Sequence, residues 1–390
     1  MTTRLSVLLP TRNGARYLHD CVASVLATEL DEMELVVSNN ASEDETRDVL
    51  AAFEDDSRLR VVHQPAPLSV TDNWNATLHA SQGEHLLLIG DDDCVLPGSL
   101  ESLMTARIEL GEPEVLSFDA YGFAFPAALG PASPAHVSDP LFRYDERLPS
   151  DGELSPECLM WCVKEAFRFQ PPFCPNLQTT LISRRSLARL PRGPFCEPYP
   201  DFYATMALML TTQRWVHLRR KLIAVGISPK SFGQSLLGGG TDAGRAYLGI
   251  ETRFDGYLPG TDMINGCHIT LQRLKRDYPR NLEGVDISRS DYVYRQLYSW
   301  YLFGRLGTIS KREIVRRLRL LSIADWMRFT HDMANRFSLE MLHQHFKVND
   351  SNAIASVWTD MKPAAEHRTI GEFARSHALN GSLAHTELAT

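Results

Sequence analysis

Short aliphatic runs alternate with helical spacing through roughly the first 118 residues. Leu5–Leu9 is mostly apolar, as expected of a strand covered on both faces. Tyr17, Leu18, Cys21, Val22, Val25 and Leu26 then recur three and four apart, which predicts a helix. Leu35–Val37 predicts a second strand. Ser42 and Glu45 have the spacing of a capping box, opening a helix through Leu50 and Phe53. Leu59–His63, Leu86–Ile89 and Val115–Phe118 read as further strands, separated by helical patterns over Asn73–Ala80 and Ser99–Leu110. This rhythm predicts an α/β fold, a mostly parallel sheet flanked by helices.

The rhythm breaks at residues 119–155, where Gly, Pro, Ala and Ser predict an irregular insertion or lid. Helical spacing returns over Leu159–Phe169, and Thr179–Ser183 predicts another strand. Glu197-Pro198-Tyr199-Pro200-Asp201 leads into an apolar helix over Ala204–Leu210, and Trp215–Leu218 with Leu222–Val225 suggests a closing hairpin. Gly238-Gly239-Gly240 is a hinge candidate. Beyond about residue 241 helical patterns dominate, including Tyr292–Phe303 and the Arg-rich Lys311–Met327. The expected organisation is a binding and catalytic domain over 1–240 and a helical module over 241–390, with a polar, loosely ordered tail from about Asn349.

Charge and cysteine content narrow the classes. A formal net charge of −8 over 390 residues speaks against nucleic-acid binding, whose footprint is basic. The seven cysteines are scattered and form no C-x-x-C pair, so neither a zinc ribbon nor a disulfide framework is expected. No stretch approaches the roughly 18 apolar residues that span a bilayer. The expectation is a reduced, cytoplasmic protein. Its basic, amphipathic Lys311–Leu321 segment, with Arg316, Arg317 and Arg319, leaves open a peripheral contact at the inner face of a membrane, or packing against the catalytic domain or a homodimer partner.

Candidate chemistry collects at the carboxyl ends of the predicted strands, where open α/β sheets bind ligands. Pro10-Thr11-Arg12-Asn13-Gly14 follows the first strand, and Ser38-Asn39-Asn40-Ala41-Ser42-Glu43-Asp44 follows the second. Asp72-Asn73-Trp74-Asn75 precedes the fourth, which ends in Gly90-Asp91-Asp92-Asp93. Three adjacent carboxylates repel one another, and a bound cation relieves that repulsion.

With these segments in this order, residues 3–235 resemble the family-2 inverting glycosyltransferases of the GT-A fold. The pieces that carry the resemblance are V-L-L-P-T-R-N-G, V-V-S-N-N-A-S-E-D-E-T, the N-W-N helix, and L-L-I-G-D-D-D followed by L-P-G-S-L. The resemblance implies a nucleoside-diphosphate-sugar donor, a divalent cation (Mn2+ or Mg2+) and a glycan or lipid-linked acceptor. Pro10, Thr11 and Arg12 match the segment that contacts base and ribose, with Asn13 and Asn73 beside it. Asn39 stands where the family usually carries a base-binding Asp. Asp91 and Asp93 match its D-x-D pair, with Asp93 the direct metal ligand, Asp91 nearer the ribose and Asp92 beside them. Asp201 matches the base that takes the acceptor proton, and Glu197 is the substitute. The helix start at Asp201 is expected to hold that carboxylate ionised. One departure stands out: Lys230 lies in a segment where many relatives carry a His that completes the metal shell or contacts diphosphate. Lys230 could neutralise the diphosphate instead. The competing readings are a sugar-phosphate nucleotidyltransferase and a nucleotide-sugar-binding scaffold without turnover. Dinucleotide and P-loop signatures are absent.

Overall fold

The computed structural model describes residues 4–129, 132–141, 144–149, 151–173, 175–230, 254–260, 262–305, 307–336 and 361–378. The glycine triplet at 238–240 lies outside them. The N-terminal part runs β1 (Leu5–Thr11), α1 (Ala15–Leu26), β2 (Met33–Asn39), α2 (Thr46–Ala51), β3 (Leu59–His63), α3 (Val70–Ala80) and β4 (His85–Leu88). β5 (Cys94–Val95), α4 (Ser99–Glu109), β6 (Val115–Ala124), β7 (His136–Ser138), β8 (Gly152–Leu154), α5 (Pro156–Ala166), β9 (Thr180–Ser183) and α6 (Arg184–Ala188) follow. Then come α7 (Pro200–Thr211) and β10 (Trp215–Ile227). The C-terminal part holds α8 (Asp262–Asp277), α9 (Arg289–Arg305), α10 (Lys311–Leu318), α11 (Ile323–Arg336), β11 (Lys362–Pro363) and α12 (Ile370–Ser376).

The sheet is α/β as expected. β4, β1, β2 and β3 are parallel neighbours, and β10 runs parallel along β6, while β9 is inserted antiparallel between β4 and β6. Alternation along β1 explains how two cores form. Leu5, Val7 and Leu9 pack with α1 and α4 residues on one face, and Leu8 joins α5 and α7 residues on the other. Serine hydroxyls cap α3, α5, α6 and α10, each accepting a backbone N–H from the first turn.

Four local expectations change. Helix α2 starts at Thr46 rather than at a Ser42 box, because the Ser42 hydroxyl is taken by the backbone N–H of Asn13. The predicted hairpin is one strand: both halves of β10 pair in the same direction with β6, and the polar Arg219–Lys221 stretch is absorbed as shifts of register. The insertion after Phe118 is less irregular than its composition suggests, since β6 runs on to Ala124 and β7 and β8 join the sheet. Part of the polar tail is also packed. β11 pairs with β7, Ile370 and Phe373 of α12 are buried with Phe123 and Ile227, and the Gly371 N–H donates to Asp20.

Candidate functional site

The carboxyl ends of β1, β2 and β4 are stitched together by side chains that hold backbone groups. The Ser42 hydroxyl accepts from Asn13 N, Thr46 Oγ1 from Gly14 N and Asp44 Oδ2 from Ala15 N, while Asn13 Oδ1 accepts from Glu43 N. Asn13 has φ 52°, a left-handed conformation that Asn tolerates better than most residues. Thr46, Asp44 and Asn40 are named from the sequence only as members of the run after β2. Their signal there is only a run of small polar residues after a strand, the composition of any turn.

At the centre lies Asp91. Its Oδ2 accepts from Thr11 Oγ1 at 2.5 Å and from Lys230 Nζ at 3.1 Å, and the same ammonium donates to the Asn13 carbonyl at 3.1 Å. Four predicted residues, Thr11, Asn13, Asp91 and Lys230, therefore form one cluster, although Lys230 is 139 residues from Asp91 in sequence. Gly14 is required beside them, because a Cβ there would lie 2.4 Å from both Asp91 Oδ2 and Thr11 Oγ1. Pro10 and Arg12 flank Thr11 and are partly exposed.

Asp93 departs from expectation. It is buried, with Oδ2 accepting from Gly90 N at 2.6 Å and Oδ1 from Gly226 N at 2.8 Å. Each oxygen thus accepts a backbone amide, which ties the end of β4 to β10. Burial raises its pKa, the neighbouring Asp92 charge adds to that, and the two amides only partly oppose it. Asp91 and Asp92 remain partly exposed. Gly226 is fixed by the same junction: its Cβ would fall 1.8 Å from the Asp92 carbonyl oxygen.

Of the triplet, Asp91 and Asp92 are the carboxylates that keep exposed surface at the strand ends. Among the described residues no group of three or more His, Cys, Asp or Glu could hold an ion. Two carboxylates supply only part of an oxygen shell, which fits a hard cation that draws its other oxygens from water and a diphosphate.

Asn39 and Asn73 border this cluster. Asn39 is buried, its Oδ1 accepting from Ser42 N and its Nδ2 lying 3.2 Å from His63 Nδ1. Asn73 Oδ1 accepts from Ser38 Oγ at 2.7 Å, joining the start of α3 to the end of β2. Trp74 is a packing residue, edge-on to Phe195 at 5.4 Å, and Asn75 Nδ2 donates to the Phe195 carbonyl. Through these contacts α3 links the strand ends to the segment leading into α7.

Asp201 occupies the first turn of α7, behind Pro200. Its Oδ1 accepts from Phe202 N at 2.8 Å. Burial raises its pKa despite that bond, so desolvation outweighs the helix terminus that was expected to keep it ionised. Its bonds do not connect it directly to Asp91 or Lys230. Glu197 is paired with Arg273 of α8 at 3.2 Å, which braces the segment before α7. Arg184 is anchored at the opposite end of β4, donating to Gly83 O and Ser81 Oγ, because β9 runs antiparallel.

Residues 6–116 match the glycosyl transferase family 2 model. The chain is 28% identical over 104 residues to a glycosyltransferase, GlyG, of Streptococcus pneumoniae, covering 26% of this chain and 35% of the relative. It is 31% identical over 103 residues to a GalNAc(5)-diNAcBac-PP-undecaprenol beta-1,3-glucosyltransferase of Campylobacter jejuni, covering 26% and 33%. The chain therefore spans about a third of the length of these curated relatives. Among solved structures it is similar to Staphylococcus aureus TarS 1-349 in complex with UDP-GlcNAc, at 14% identity and TM-score 0.47, covering 88% of this chain and 79% of that one.

Proposed function

From a chain whose residues 6–116 match the glycosyl transferase family 2 model, we propose an inverting glycosyltransferase that moves a sugar from a nucleoside diphosphate to an acceptor hydroxyl. The observation that carries this reading is the Asp91 carboxylate held by Thr11 and Lys230 at the meeting point of the strand ends. A pre-positioned carboxylate and ammonium suit a diphosphate and its cation. The base and ribose would lie over Pro10–Asn13 and Asn39, with Asn73 and Ser38 shaping the floor.

Asp91 and Asp92 would hold Mn2+ or Mg2+, which supplies positive charge against the departing diphosphate. Lys230 adds a second positive charge on the same side. Asp201 would accept the proton of the acceptor hydroxyl as it attacks the anomeric carbon, and the raised pKa of its carboxyl suits a base that must be protonated in turn. Asp93 supports the geometry by pinning β4 to β10. The helical module over 241–390 would carry acceptor contacts, since α8 braces the segment before Asp201 through the Arg273–Glu197 pair. The Campylobacter relative is named for a lipid-linked acceptor, and an acceptor of that kind is one candidate here.

The test is a thermal-shift series with UDP, GDP and dTDP, each with and without Mn2+, followed by donor turnover. Metal-dependent stabilisation by one nucleotide, lost in Asp91→Asn, is expected. Stabilisation without any release of nucleotide from the matching sugar donor would favour the scaffold reading. No stabilisation by any of the three would remove the donor assignment.

A further inference from the structure

Two consecutive helices of the C-terminal part turn apolar and basic side chains outward together. On α10 the outward face is Arg312, Val315, Arg316 and Arg319, at i, i+3, i+4 and i+7, while Ile314, Arg317 and Leu318 are partly covered. On α11 Ile323, Trp326 and Met327 repeat the same spacing, and Leu320 sits at the turn between the helices. The exposures are large: 81% for Ile323, 68% for Met327, 54% for Leu320 and 50% for Val315. Among the described residues only Ile108 and Met263 are comparably exposed apolar side chains outside this corner. A cluster of this kind marks a contact surface, whereas single exposed apolar residues are ordinary.

The charge around it names the partner. Residues 305–328 carry seven basic and two acidic side chains in a protein of net charge −8. Both acids are occupied within the fold: Asp325 accepts from Arg289, and Glu313 from Arg316 and Arg317. Arg317 is turned inward, with its side chain 15% exposed, so it serves α10 rather than the surface. The apolar side chains stand on the outer faces of two helices and on the turn joining them, with arginines beside them. That arrangement suits shallow insertion of aliphatic and Trp side chains at a headgroup boundary while guanidinium groups meet lipid phosphates.

We propose that the α10–α11 corner docks the protein on an anionic lipid bilayer. The reading goes beyond sugar transfer and does not depend on turnover. Each arginine near such a surface strengthens binding roughly fivefold, so reversing two charges weakens it by well over an order of magnitude.

The test is flotation of the full chain with vesicles of phosphatidylcholine alone or with phosphatidylglycerol, at low and high salt. Binding to the anionic vesicles, at least about tenfold weaker on neutral ones or at high salt, is expected. Arg312→Glu with Arg319→Glu, and separately Ile323→Ser with Met327→Ser, should each reduce binding about tenfold or more with an unchanged thermal melt. A blue shift of emission on vesicle addition, lost in Trp326→Phe, would locate the contact. Equal binding to neutral and anionic vesicles, no binding, or full binding by both folded double variants would overturn the proposal. So would a dimer in sedimentation that Ile323→Ser with Met327→Ser dissociates while vesicles remain unbound. Loss of donor turnover with retained vesicle binding would count against the transferase reading alone.

Discussion

The strand-end crevice and the α10–α11 corner solve opposite problems with similar residue types. In the crevice, polar side chains point inward and hold the backbone of neighbouring loops, so Ser42, Thr46 and Asp44 each fix an N–H of the next segment. At the corner, the Ile323 and Met327 side chains stand largely exposed. Charges follow the same division. Lys230 is committed to Asp91 and the Asn13 carbonyl, whereas Arg316 keeps its side chain 77% exposed even while it touches Glu313. A polar group wired into several loops sets geometry. An exposed group sets only what the surface can meet.

Substitutions should separate the two regions by size of effect. The largest belongs to Asp201→Asn: a folded variant should lose about 10²–10⁴-fold in transfer rate, measured as nucleoside diphosphate release, with donor affinity little changed. The same carboxyl predicts a pH profile. Its pKa is raised, so the protonated, inactive form persists above the usual carboxylate range and the rate climbs with pH across that shifted value. An acid limb at the ordinary aspartate pKa, or one unchanged in Asp201→Asn, would argue against Asp201 as base.

Next in size is the contrast within the acidic triplet. Asp93→Ala removes the acceptor for two buried amides and should cost about 1–3 kcal/mol, read as a fall in the melting temperature. Asp92→Asn should leave the melt near wild type and weaken Mn2+-dependent nucleotide binding. If Asp93→Ala melted like wild type while Asp92→Asn bound nucleotide normally, the division of roles between them would be reversed. Thr46→Val, which removes the acceptor for Gly14 N, should cost about 1 kcal/mol. Smallest of all, Ile323→Ser should change stability by no more than about 0.5 kcal/mol, as for other exposed positions. A larger loss would mean that the corner is buried against something.

Local pattern in the sequence accounts for the α/β alternation, the sites of β1 to β4 and of β6, most helices, and the gathering of candidate residues at strand ends, while the two-residue β5 is too short to leave a periodic signal. These follow from hydrophobic periodicity and from the rule that strand ends meet in one crevice, both readable within a few residues. Tertiary structure decided what depends on distant partners. Asp91 and Asp93 are two residues apart and equally acidic, yet one meets Thr11 and Lys230 while the other is closed over by Gly90 and Gly226. The spacing D-x-D does not distinguish them, because the partners come from β1 and β10. Arg219–Lys221 reads as a turn by composition and becomes a bulge only because β6 continues alongside. The pKa of Asp201 rises because burial, a property of the packed fold, outweighs the local helix terminus. Periodicity thus names the elements and the chemistry, and long-range packing assigns each carboxylate its role, because desolvation and hydrogen-bond partners exist only once distant segments meet.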